Sequence, residues 1–134
     1  MSMVQEYNIR FADEAHKDFY MEMSQILMPD VYLRALIYTL GLCHDTRRHF
    51  NSIYNRSKRR INLNAIHEPW QTGTSLKVTR LAFQLFTGTT PTALICDGPD
   101  IEECIRYSVS NIFCCCYAPY FFVAIYLRYP EYIR

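Results

Sequence analysis

The sequence predicts a mostly α-helical, single-domain bundle of five to seven helices, with one short extended segment or small hairpin. Three observations carry that expectation. Apolar residues recur at three- and four-residue spacing in successive segments, each bounded by a capping residue on one side and Gly or Pro on the other. Strict alternation of polar and apolar residues is confined to Arg60–Ala65, which limits the β content. The chain has 134 residues, half of them hydrophobic and a fifth charged. A chain of that size buries roughly two thirds of its unfolded surface without help from metals or disulfides, so residues 1–134 are expected to form one globular unit.

The elements follow in order. Asp13 is a helix N-cap, and Phe19, Tyr20, Met23, Ile26 and Leu27 form the inward stripe of a helix ending near Leu27. Met28-Pro29-Asp30 breaks it. Asp30 caps a second helix, Val31 to Leu40, with Leu33, Leu36, Ile37 and Leu40 inward and Gly41 at a left-handed C-terminal position. A third helix is expected from Asp45 to about Tyr54, with Phe50, Ile53 and Tyr54 inward and Arg47, Arg48 and Asn51 outward. Thr72 to Ser75 cap a helix whose body is Leu76 to Phe86, stopped by Gly88. Thr89 to Pro99 is turn-rich. Asp100 caps a helix to about Cys116. Pro119 opens the last helix, which carries Phe122, Ile125 and Tyr126 inward and ends near Tyr129 before Pro130.

Eleven Tyr and eight Phe give the core large side chains, and the Tyr hydroxyls need partners at its edge. Net charge is only +1, but it is unevenly placed. Residues 1–30 carry six acids against two bases, and residues 31–60 carry seven bases against Asp45 alone. Either the first helix packs beside the basic segment and compensates it, or the basic segment faces a polyanion. Six cysteines include three in a row, Cys114–Cys116, an arrangement that disulfide geometry disfavours. With no apolar leader in MSMVQEYNIRF, buried unpaired thiols in the cytoplasm are expected. Tyr107 to Leu127 carries no charge, yet it contains Ser108, Ser110, Asn111 and Pro119, so it reads as two core helices and not as a membrane span.

Two constellations could bind something. Arg47, Arg48, Arg56, Lys58, Arg59 and Arg60 place six cations within fourteen residues. Lys and Arg bind nucleic acid by releasing its counterions, and Arg grips phosphate or carboxylate bidentately. A solvated surface is the plain alternative. Thr74, Ser75, Lys77 and Arg80 lie at a helix start, where free N–H groups attract anions. The P-loop spacing is absent, and ordinary capping accounts for the hydroxyls. Trp70 beside them could stack on a ligand ring, although a lone Trp usually lies against the core. No metal or cofactor is expected: His16, His44, His49 and His67 lack paired spacing with each other or with the thiols. Cys43-His44 is no dyad, because neighbouring side chains diverge.

Short signatures read together complete the picture: His16-x-x-Phe19-Tyr20, Ala35-Leu36-Ile37-Tyr38, Phe50-x-x-Ile53-Tyr54, Arg80-Leu81-Ala82-Phe83-x-Leu85, and Ala124-Ile125-x-Leu127-Arg128-Tyr129-Pro130. In these the chain resembles a family of short, uncharacterised proteins of Gram-positive bacteria and their mobile elements. The resemblance covers most of the chain and thins across Thr89 to Tyr107. It implies a shared fold and no assigned catalytic residues. Its mobile-element setting implies a non-enzymatic binding protein with a protein or ribonucleoprotein partner, in the form of an inhibitor of host nucleic-acid-targeting defence. The alternatives are a small anion- or nucleotide-binding protein or enzyme using Thr72–Arg80, and a nucleic-acid-binding regulator using residues 47–60.

Overall fold

A computed structural model describes residues 9–91 and 101–132. The first helix, α1 (Glu14–Leu27), starts where Asp13 accepts the His16 N–H at 2.8 Å. It stops at Met28, whose left-handed backbone (φ 46°) turns the chain into Pro29. Asp30 accepts the Leu33 N–H at 2.9 Å and opens α2 (Val31–Leu40). From Ala35 to Leu40 every residue of α2 is buried, so this helix forms the centre of the molecule. It packs chiefly against α5 (Gly73–Thr87) and α8 (Ala118–Arg128), with α1 alongside.

Between α2 and α5 the expected third helix is divided. One turn, α3 (His44–Arg48), ends at His49, and a second, α4 (Phe50–Ile53), follows. His49 sits outside helical geometry, and its Nδ1–H donates to the Asp45 carbonyl at 2.8 Å, which closes α3. An antiparallel hairpin comes next, β1 (Tyr54–Asn55) with β2 (Arg60–Ile61), in the register Tyr54–Ile61 and Asn55–Arg60. It occupies the start of the stretch predicted as extended. The remainder, Leu63–His67, is a 3-10 turn.

The first cap expected for α5 is reciprocal. The Thr72 hydroxyl accepts the Ser75 N–H at 3.1 Å, and Ser75 Oγ accepts the Thr72 N–H at 2.7 Å. Gly88 ends the helix at φ 76°, a conformation that favours glycine. The expected Asp100–Cys116 helix is likewise divided, into α6 (Ile101–Arg106) and α7 (Val109–Ile112), because Tyr107 turns into the core and Ser108 leaves helical geometry to cap α7. Its expected cap, Asp100, lies outside the described residues, as do most of Thr89–Pro99 and Cys96. A bend over Phe113–Tyr117 leads into α8, with Pro119 in its first turn. The chain is therefore mostly helical, with eight α-helices among the described residues because two expected helices are each split in two. No helix among them is long and apolar enough to cross a membrane.

Three sequence expectations are corrected by packing. The inward stripe of α8 is Phe121, Ala124 and Leu127, not Phe122, which is 64% exposed. Ala124 is fully buried on that stripe, and α8 packs chiefly against α2. On α1 the buried face is His16, Tyr20 and Met23, and Ile26 is 54% exposed. Gly41 is right-handed (φ −73°), so it is not a conformational cap. It is needed for clearance: a Cβ there would lie 2.8 Å from Phe19 Cδ2 and 3.0 Å from His16 Cδ2.

The core also holds polar groups, and His16 and Arg128 show how they are held. His16 is fully buried; its Nε2–H donates to the Tyr38 carbonyl at 2.8 Å, and Nδ1 accepts from the Ala12 N–H at 3.1 Å. Burial lowers its pKa to about 4, despite the Tyr38 carbonyl and nearby Asp13. Arg128 lies between the rings of Tyr32 (3.7 Å) and Tyr129 (4.4 Å) and donates from Nε to the Leu85 carbonyl at 2.7 Å. The carbonyl end of α5 and two ring faces thus hold this cation. The expectation of buried thiols holds for Cys43, whereas Cys114 and Cys116 are exposed in the bend before α8.

Candidate functional site

The hairpin is the most strongly basic feature among the described residues. Its turn, Arg56–Arg59, is shaped from within: Asn55 Oδ1 accepts the Lys58 N–H at 2.9 Å and the Ser57 hydroxyl at 2.9 Å. Arg59 adopts a left-handed backbone (φ 53°). Backbone and Asn55 hold the turn, so the basic side chains are not needed to build it. Arg56, Lys58, Arg59 and Arg60 are all exposed.

The six cations of the segment divide by engagement. Arg47 is half-buried and donates to the Gly41 carbonyl at 2.7 Å, which ties α3 to the end of α2. Arg56 donates from Nε to Asn51 Oδ1 at 3.1 Å, and its Nη2 approaches Met23 Sδ at 4.0 Å, laying the hairpin beside α1. Arg48, Lys58, Arg59 and Arg60 are exposed, and none is ion-paired among the described residues. The acidic first helix does lie near the hairpin, yet no ion pair within 4.0 Å joins its carboxylates to the basic segment among those residues.

Where the hairpin meets the α1–α2 corner there is a groove of about 340 Å³, lined by aliphatic Ile26, Leu27, Met28 and Leu33 and by charged Asp30, Arg56 and Arg59. Sequence reading singled out the two arginines and missed the groove. Two apolar residues beside a helix break, Ile26 and Met28, were the available signal. Tyr54 also lines it, and burial pushes the Tyr54 hydroxyl above its ordinary pKa.

The second predicted constellation does not gather as four side chains. Ser75 is fully buried: its hydroxyl donates to Gln71 Oε1 at 2.5 Å and completes the cap. Arg80 is buried and forms a bidentate pair with Glu103 at 2.7 and 3.0 Å, pinning α6 to α5. Lys77 donates to the Asn111 carbonyl at 2.5 Å. Thr74 is half-buried. An open groove of about 570 Å³ does bring Lys77 and Arg80 together, lined also by Gly73, Glu102 and Arg106. Trp70 lies flat against His49 (4.2 Å, 3°) and donates to Glu68 at 2.6 Å. Among the described residues, no group of three His, Cys, Asp or Glu side chains is placed to hold a metal ion.

Fold and surface together define a small helical protein whose exposed positive charge is densest on a basic hairpin, beside a groove of mixed aliphatic and charged lining. Its sequence matches the model of a family of unknown function, DUF6075, over residues 6–134, and the chain belongs to that family. No curated protein and no solved structure matches it.

Proposed function

We propose that this protein is a non-enzymatic binding protein that presents its basic hairpin to an anionic macromolecular partner. One observation carries the reading: Lys58 and Arg59 in a turn that the backbone and Asn55 hold in shape, and Arg60 directly after it, are exposed, and no carboxylate pairs with them among the described residues. A cluster of cations built only for solubility would gain from nearby acids, and like charges this close repel one another. An anionic partner removes that repulsion and gains electrostatic steering. The mobile-element setting implied by the family resemblance gives this binding a form, inhibition of a host complex that targets nucleic acid, by contact with its protein or ribonucleoprotein surface.

The test is capture from a host lysate by the full chain, run with and without nuclease, beside the variant Arg56→Glu, Lys58→Glu, Arg59→Glu, Arg60→Glu. Loss of the captured species by the variant, with unchanged circular dichroism and unfolding midpoint, is expected. Capture that survives the four reversals refutes the reading. Nuclease sensitivity separates a nucleic-acid contact from a protein one.

A further inference from the structure

Two non-glycine residues among those described hold a left-handed backbone, Met28 (φ 46°) and Arg59 (φ 53°). They are thirty-one positions apart in sequence, yet both line the groove between the α1–α2 corner and the hairpin. A side chain in that conformation costs about 1–2 kcal/mol, which glycine avoids. An apolar and a cationic side chain thus stand at two places where glycine would favour the fold. Met28 is 84% exposed, so packing does not account for its side chain there.

From this we infer that the groove seats a short segment of a protein partner in which an acidic residue stands beside an aliphatic one. The inference deepens the reading above and rests on it. Arg56 and Arg59 line the groove, and no carboxylate pairs with either among the described residues. Ile26, Leu27, Met28 and Leu33 supply aliphatic walls, and a thioether adapts to varied side chains. A carboxylate on the arginines places the next aliphatic side chain against those walls.

A nucleic acid fits the groove less well. Base recognition in single strands uses exposed aromatic faces. Here Tyr54 is buried and Phe86 is half-buried, its ring set edgewise to Tyr54 (5.7 Å, 73°). Asp30 also lines the groove. Its carboxylate repels the successive phosphates of a strand more than the single carboxylate of a peptide.

The backbone supplies variants that empty the groove without endangering the fold: Met28→Gly and Arg59→Gly. Each is expected to hold or raise the unfolding midpoint. The probe is a displayed library of random 12-residue peptides selected on the immobilised full chain, with the consensus peptide then titrated by fluorescence anisotropy. Enrichment of Asp or Glu next to Leu, Ile, Val or Met is expected. Each glycine variant should weaken the consensus peptide by about fivefold or more, and a 12-residue polyglutamate should bind more weakly and be indifferent to Met28→Gly. Four results overturn the inference: no enrichment, enriched peptides without the acidic-aliphatic pair, binding unmoved by the glycine variants, or polyglutamate binding as tightly as the consensus. An oligothymidylate that binds the parent and loses affinity in Met28→Gly assigns the groove to nucleic acid and also overturns it. If the four hairpin reversals abolish lysate capture while Met28→Gly leaves it unchanged, the groove fails and the basic-hairpin reading stands. If the reversals change nothing, both fail.

Discussion

Lowering the pH from 7 to 5 should destabilise this protein by about 2 kcal/mol through His16 alone. The imidazole is fully buried with both nitrogens engaged: Nε2–H donates to Tyr38 and Nδ1 accepts from Ala12. Protonation would place a second hydrogen on Nδ1, facing the Ala12 N–H. Its pKa falls from the ordinary 6.5 to about 4, burial being the largest cause. The sign follows from proton counting. Between these two values the unfolded chain carries the proton and the folded chain does not, so acid favours unfolding there. The contribution is complete above pH 6.5 and is lost as pH falls toward 4. At about 1.4 kcal/mol per pH unit, the gap sets a ceiling of about 3 kcal/mol. Urea unfolding at pH 7 and pH 5, on the parent and on His16→Gln, isolates the effect. Gln keeps a donor for Tyr38 and cannot titrate. The parent should lose about 2 kcal/mol more than the variant between the two pH values. Equal losses refute the reasoning, as does an NMR titration of the His16 ring with a midpoint near 6.5.

Other perturbations test the packing. Gly41→Ala should destabilise by about 1–3 kcal/mol in chemical denaturation, since the added methyl meets Phe19 and His16 at 3.0 Å or less; an unchanged midpoint would contradict the close approach of α1 to α2. Phe121→Ala should cost about 3–5 kcal/mol and Phe122→Ala under about 1 kcal/mol, the reverse of what the helical spacing alone predicts. Glu103→Ala should cost about 3 kcal/mol by stranding the buried Arg80 guanidinium, and Arg80→Met added to it should recover part of the loss, as a double-mutant cycle would report. Thr72→Ala should remove about 1 kcal/mol by opening the reciprocal cap of α5, read as a lower thermal midpoint.

The basic cluster was legible because it is contiguous: Arg56 to Arg60 lie side by side in sequence, and a hairpin keeps them so. The groove was not, because its walls come from residues 26–33, 54–59 and 86. The anion cradle expected at Thr74, Ser75, Lys77 and Arg80 illustrates the converse. Helical spacing puts those residues close together, but Glu103, twenty-three positions later, takes up Arg80. For Ser75, spacing was correct and rotation decided: its hydroxyl belongs to the cap and to Gln71.

What the sequence determined by itself is what acts within about four residues. Asp13, Asp30 and Thr72 cap the helices they were expected to cap, and Gly88 stops α5, because each interaction closes through neighbouring backbone. Tertiary structure alone decided which faces meet. Steric clearance against Phe19, not a left-handed turn, explains Gly41. Burial against Tyr38, twenty-two residues away, turns His16 into a neutral core side chain. Arg128 reaches Leu85 and Tyr32 across the bundle. These outcomes depend on shape fit between helices distant in sequence, and helical periodicity carries no information about that fit.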